Sequence, residues 1–538
     1  MNKTRQFLSA AVLAAVALLM VSCAKGPAAS PTVQPAAPTP APVVHRHADA
    51  PGIDWFGGDV SAAFAAARSA RKPILLYWGA VWCPPCQQLK STVFSRPDFI
   101  AKSHLFVPVY LDGDDVGAQK WGEEFRVAGY PTVVVLDADR HELMRIAGGL
   151  DLGQYAAVLD NALADLQPAQ ALLDQASAGR ALNIGQCRRL AYNGWELEGG
   201  ATAAANADLA LRLDAASEYC PADAPVERAR LRIFAASFAT RAEADALKSG
   251  QPPSPALRAR VNTVDEVLAN DRTAIAVADA LQYLDKNFFR VVKARGEAAG
   301  PWLARYSRVM DAAAALPSYA AADQLGAVGS KLEAIKAING AIPAGVARAA
   351  SARVAGVLAE KQIPYVRSGI INAALPIYDV LGQNEQAYKV VQGELARTTT
   401  PYYYKADLGD LAEGLGRKSE ALKWYAEGFA EAQGPATRFQ WGAIYASSLL
   451  RLQPDDAAKI SGVTAQVLGE LDGPDRIYRR ARVRLERLDL ALRKWNTATK
   501  GVHHDVLVGL REHMQQICGK IPKAEPAHAS CDAFLASA

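Results

Sequence analysis

Two cysteines three residues apart are the clearest chemical feature of this chain. Cys83 and Cys86 lie in Trp82-Cys83-Pro84-Pro85-Cys86, after an apolar run from Pro73 to Trp78 and before a helical stretch from Gln87 onward. Such a pair can pass between dithiol and disulfide without moving the backbone. A first cysteine at a strand-to-helix junction meets outward-pointing helix N–H groups, which stabilise its thiolate. The thiolate is the species that attacks disulfides, so the placement predicts redox exchange rather than packing. Cys83 is the expected nucleophile, exposed at the helix start, and Cys86, one turn further in, the more buried resolving thiol. Pro84 and Pro85 stiffen the segment, and a proline near a helix start costs little because its N–H would have had no intrahelical partner. Trp82 is expected to pack beside the thiols as part of a docking surface.

Other readings of these residue types are weaker. A structural zinc needs four ligands, and no second C-x-x-C or C-x-x-H lies near Cys86. Haem attachment would need His after Cys86, where Gln87 stands. His45 and His47 lie on a Pro/Ala-rich stretch that reads as solvated linker. His503 and His504 are adjacent at a helix start and face different directions, which suits surface or capping roles. No metal or cofactor is therefore expected.

The elements that must position the pair alternate between helix and strand over residues 52–166. Asp59 to Ala70 is amphipathic, with Val60, Phe64 and Ala67 on one face. Pro73 to Trp78 reads as a strand, and Cys86 to about Thr92 as the helix that follows it. Leu105 to Leu111 is a second strand, Ala118 to Phe125 a helix, Thr132 to Leu136 a third strand and His141 to Ile146 a fourth. Asp151 to Ala164 closes the unit as a helix. A parallel pair joined by a helix, then a hairpin, is an α/β layer of domain size.

These residues resemble the thioredoxin superfamily. Ile74-Leu75-Leu76-Tyr77-Trp78-Gly79-Ala80-Val81-Trp82-Cys83 is similar to the strand that delivers the family's redox motif. Val127-Ala128-Gly129-Tyr130-Pro131-Thr132 is similar to the loop carrying a cis-proline opposite the sulfurs. The helix before Lys72-Pro73 and the Val93-Phe94-Ser95 stretch look most like exported, reductive thioredoxins. The resemblance implies a central mixed sheet with helices on both faces. It also implies a cis Pro131, which keeps a backbone N–H away from the cysteines, and pairing of the Tyr130 backbone with an incoming peptide as an added strand. Two positions depart from the family pattern. Tyr77 stands where a buried Asp assists the resolving thiol, so that role is vacant or falls to a carboxylate elsewhere. Gln87 stands where a basic residue is common.

The N-terminus carries a different signal. Lys3 and Arg5 precede an apolar stretch from Phe7 to Val21, and Met20-Val21-Ser22-Cys23 resembles a bacterial lipobox. The resemblance implies a signal peptide over 1–22, lipid on Cys23 and, with Ala24 following, sorting to the outer membrane of a Gram-negative envelope. A secretory signal cut nearby, with Cys23 incidental, is the alternative. Loss of Lys3 and Arg5 with that signal leaves 57 basic against 55 acidic residues, a balance that argues for no nucleic-acid partner. Residues 23–51 read as an extended tether. No later segment approaches the ~20 apolar residues of a membrane span, so membrane attachment would be by lipid alone.

Beyond residue 166 strand signals nearly vanish. Regions 167–365 and 366–538 read as successive helices, the second resembling tetratricopeptide repeats: Gly382, Ala387 and Val391 recur 34 residues later as Gly416, Ala421 and Tyr425. The helix from Arg476 to Trp495 puts Ile477, Ala481, Leu485, Leu488, Leu492 and Trp495 on one stripe; its arginines read as a solvated face, with a basic docking surface as the alternative. Four further cysteines are an even number, as an oxidising compartment favours. Pairs Cys187–Cys220, at ends of neighbouring antiparallel helices, and Cys518–Cys531, tying the final segment to the last long helix, are natural; four buried free thiols are the alternative. Together these features predict an exported thiol:disulfide oxidoreductase acting on envelope proteins, with a membrane electron donor for the redox pair. A helical scaffold that uses the α/β domain mainly to bind partners is the second reading.

Overall fold

The computed structural model describes residues 52–127, 129–146, 159–195 and 202–536. The signal stretch, Cys23, the tether over 23–51 and most of the helix expected over 151–164 lie outside the described residues.

The α/β domain is built around one central strand. Strand β1 (Ile74–Gly79) follows helix α1 (Val60–Ala70), whose first turn is capped by Asp59 accepting from Ala62 N at 2.7 Å. Helix α2 (Pro84–Leu89) comes next and runs on into a π-helical turn, Lys90–Phe94. Then follow α3 (Pro97–Ser103), β2 (Val107–Asp112), α4 (Ala118–Glu124), β3 (Thr132–Leu136) and β4 (Glu142–Ile146). The sheet order is β2-β1-β3-β4. β1 runs parallel to β2, with Gly79 opposite Asp112, and antiparallel to β3, which pairs antiparallel with β4.

Every residue of β1 is buried, yet its side chains serve two cores. Leu75 and Tyr77 join Leu89, Val93 and Phe94 on one face. Ile74, Leu76 and Trp78 join Val60, Phe64 and Phe125 on the other. A strand with period-2 side chains and helices on both faces must be apolar throughout, which is why Pro73 to Trp78 reads as an unbroken run.

From Ala169 onward every regular element among the described residues is helical. Gly382 (φ +70°) and Gly416 (φ +75°) make equivalent left-handed turns between the helix pairs Pro364–Val380/Asn384–Glu394 and Pro401–Gly414/Lys418–Glu431. Ala387 and Ala421, both buried, are the small residues of the repeat where helices cross. Cys187 and Cys220 form a disulfide, as do Cys518 and Cys531; these bonds fit a non-cytoplasmic setting. No described helix is long and apolar enough to cross a membrane.

One expectation holds only in part. The arginines of the helix Arg479–Ala498 are a solvated face only in part: Arg487 is exposed, whereas Arg480 and Arg482 meet the α/β domain, as the docking alternative had it, because this helix lies against α4. Arg482 donates to Glu123 Oε1 at 3.0 Å, and the Arg480 guanidinium sits 4.0 Å from the centre of the Tyr130 ring. Helical periodicity marks which side of a helix is polar; it does not say whether water or another domain meets that side.

Candidate redox site

The two cysteines occupy the first turn of α2. Cys83 is its N-cap residue in extended conformation, and its sulfur accepts from Cys86 N at 3.2 Å. Pro84 and Pro85 start the helix directly after Cys83, since proline's fixed φ suits the first helical turn. The sulfurs are joined as a disulfide with Cα atoms 5.2 Å apart. Tyr130, linked to Pro131 by a cis bond, and Trp82 pack against the pair. The structure thus gathers Cys83, Cys86, Trp82 and Tyr130 at one place.

The departures from the family pattern acquire physical roles. Gln87 turns back and donates from Nε2 to the Val81 carbonyl at 2.7 Å, fixing the segment that carries Trp82 and Cys83. Tyr77 belongs to an aromatic cluster, stacked on Tyr110 (5.2 Å) and edge-on to Phe94 (4.9 Å). A buried carboxylate is present one strand over. Asp112, fully buried, lies in register with Gly79 on the sheet face that carries Tyr77 and Tyr110, the face against which α2 packs. It accepts from Tyr110 Oη at 3.1 Å and from Asp114 N at 3.0 Å. The Lys90 ammonium lies 5.1 Å from the centre of the Tyr110 ring.

Cys83 departs from expectation in exposure: only 2% of its surface is accessible. Trp82 shows why. Its indole stacks on Tyr403 (6.0 Å) and meets Trp441 edge-on (4.9 Å), and its Nε1 donates to Thr437 Oγ1 at 2.7 Å. Thr437 in turn donates to Asp114, from N to Oδ1 at 2.9 Å and from Oγ1 to Oδ2 at 2.5 Å. Asp114 follows β2, whereas Thr437 sits in the first turn of the helix Pro435–Leu452. The residue before that helix is Gly434, which has no side chain to cap it. Asp114 therefore supplies the cap from the other domain, its carboxylate at the positive end of the helix. Burial pushes the Asp114 carboxyl up to about 6, against the opposing pull of the Thr437 hydrogen bonds. Helix Pro364–Val380 packs on α2 itself.

The Tyr130 loop is covered as well. Gln119 Nε2 donates to Tyr130 Oη at 3.1 Å, and Arg480 lies over the ring. Arg484 donates to Gln440 Oε1 at 2.7 Å, and burial pulls its pKa down to about 10. Sequence reasoning missed Asp112, Asp114, Tyr403, Thr437, Trp441 and Arg480 as parts of this site. Two signals were present: the acidic turn Asp112-Gly113-Asp114-Asp115 at a strand end, and the Gly434-Pro435 helix start that lacks its own capping side chain. Neither says which partner it meets.

A family model described as a thioredoxin-like domain matches residues 60–163, the span that holds the sheet, both redox cysteines and the cis-proline loop. No curated protein matches the chain. Among solved structures, one titled "Circular tandem repeat protein with novel repeat topology and enhanced subunit contact surfaces" matches at 13% identity over 72% of this chain and 83% of its own, with a TM-score of 0.18, too low to indicate a shared arrangement.

Proposed function

We propose that the protein is an exported thiol:disulfide oxidoreductase that reduces disulfides of envelope proteins through Cys83 and Cys86, held at the outer membrane by lipid on Cys23. The observation that carries the redox part is the Cys83–Cys86 disulfide in the first turn of α2, packed against Trp82 and the Tyr130–Pro131 loop. The Cys187–Cys220 and Cys518–Cys531 bonds support an oxidising compartment.

In the reduced enzyme the Cys83 thiolate attacks one sulfur of a substrate disulfide. The substrate S–S bond breaks, a mixed disulfide forms, and the departing substrate thiolate takes a proton. The Cys86 thiolate then attacks Cys83 Sγ, releases the second substrate sulfur as a thiol and leaves the Cys83–Cys86 disulfide. Two electrons have passed to the substrate. Asp112, buried on the sheet face that α2 covers, is the group we assign to take the Cys86 proton in the second step. Return to the dithiol needs an external donor: a membrane electron donor in the cell, dithiothreitol in the assay.

The test is reduction of insulin by dithiothreitol in the presence of the full chain. Acceleration by the wild type and its loss in Cys83→Ser are expected; equal rates for the two would refute the assignment. The cover of Trp82 by Tyr403, Trp441 and Thr437 favours, as a second reading, a scaffold in which the redox face is a binding surface. Trapping separates the two. Cys86→Ser should accumulate mixed disulfides with envelope proteins, whereas equal complex formation by a Cys83→Ser/Cys86→Ser double variant supports the scaffold.

A further inference from the structure

The surface that would receive a substrate is already occupied from within the chain. We propose that the helices Pro401–Gly414, Pro435–Leu452 and Arg479–Ala498 form an internal cap that takes the place of a protein substrate on the redox face and must swing away before Cys83 can react with a protein disulfide. The proposal rests on the redox reading of Cys83 and Cys86 and adds control of access to it.

Three contacts define the cap. Trp82, the aromatic beside the nucleophile, is held by Tyr403, Trp441 and the Thr437 hydroxyl. Tyr130, whose backbone would pair with an incoming peptide, lies beneath the Arg480 guanidinium. Asp114 and Glu123 of the α/β domain are tied to Thr437 and Arg482 of the helices. What is left between Trp82, Tyr130, Thr437 and Arg480 is a cavity of about 10 Å³. One water needs roughly 10–15 Å³, so the space between Trp82 and the Tyr130 ring holds no more than a water while the cap is closed.

The contacts are also of a kind that can open. Between these three helices and the α/β domain the contacts are ion pairs, hydrogen bonds and ring contacts around a few residues, of the kind found at surfaces that separate reversibly. The hydrophobic core that the α/β domain shares with the helices from Ala169 to Ile338, and the packing of Pro364–Val380 on α2, lie outside the cap. Gly434 leaves no room for a side chain against Asp114. A Cβ placed there would lie 2.2 Å from Asp114 Cγ, and its φ of +81° already disfavours any other residue. Gly434→Ala should therefore push the Asp114–Thr437 contact apart without touching the cysteines. Arg480→Ala/Arg482→Ala releases the other edge.

The experiment measures alkylation of reduced Cys83 by iodoacetamide in the full chain, with the site verified by peptide mass, across pH so that the limiting thiolate rate is obtained. Under the proposal wild-type Cys83 reacts more slowly than a cysteine peptide at equal thiolate fraction. Each loosened variant reacts at least about fivefold faster than wild type and speeds insulin reduction in step, because the reactive population is the open one. A wild-type rate equal to the peptide's would overturn the cap and needs no variant. So would variants within twofold of wild type that keep the wild-type near-ultraviolet circular dichroism. Alkylation does not depend on turnover, so loss of the cap leaves the redox assignment standing. Failure of that assignment shows separately, as insulin reduction unaffected by Cys83→Ser.

Discussion

The hydroxyl of Thr437 joins the two regions of the protein and offers a direct measure of how firmly they are held. Thr437→Val keeps the shape of the side chain and removes two hydrogen bonds, one received from Trp82 Nε1 and one given to Asp114 Oδ2. A hydrogen bond to a charged group contributes about 1.5–3 kcal/mol and a neutral one about 1 kcal/mol. The single change should therefore cost about 3 kcal/mol of closure, roughly a hundredfold in the opening equilibrium. Asp114→Ala should cost less than its contacts suggest, since it also relieves a desolvated carboxylate. The decisive quantity is the coupling in the double-mutant cycle, expected at about 1.5–3 kcal/mol for the Oγ1–Oδ2 pair. Urea unfolding of the full chain with disulfides intact, followed by tryptophan fluorescence, reads it. The transition in which Trp82 leaves its partners is the one to fit, because a chain of this size need not unfold in a single step. Additive single effects, with coupling below about 0.5 kcal/mol, would show that the two groups are neighbours without energetic contact and would refute a part for the Thr437–Asp114 bond in holding the regions together.

Three more outcomes follow from the same geometry. Replacing Cys187 and Cys220 by Ser opens a 33-residue loop and should lower stability by about 4 kcal/mol, against about 3 kcal/mol for the 13-residue loop of Cys518 and Cys531; equal urea midpoints for wild type and variants would contradict this. Asp114 binds its proton more tightly in the folded chain, with a pKa of about 6 against an ordinary 3.8, so it makes stability fall as pH rises from about 4 to about 6 and adds no slope outside that window. Asp114→Asn should lack that part of the fall, while Asp407, raised by burial to about 7, titrates alike in both proteins; identical wild-type and variant pH profiles of the urea midpoint would contradict it. Asp112→Asn should slow insulin reduction roughly tenfold or more and alter its pH profile, whereas an unchanged profile would remove Asp112 from the proton path.

Much of the α/β domain was legible in the sequence because its signals are local or repeat with a short period. An apolar run at Pro73 to Trp78, period-2 faces and two cysteines at a strand-to-helix junction each fix a piece of structure within a few residues. The small helix-crossing residues Ala387 and Ala421 and the left-handed Gly382 and Gly416 show up as a 34-residue period for the same reason. The start of α2 at Cys83 was legible too, because two prolines suit a first helical turn.

The environment of the redox pair was decided elsewhere. Trp82 and Thr437 are separated by 355 positions and Asp114 and Thr437 by 323, and no periodicity connects residues that far apart. The polar side of Arg479–Ala498 reads the same whether water or Glu123 and Tyr130 lie against it. Residue type and spacing determined that Cys83 and Cys86 could exchange disulfides. Only the packing of one region on the other decided that Trp82 and Tyr130, which lie against the nucleophile, would themselves be covered, because burial depends on what approaches a surface and not on the segment that forms it.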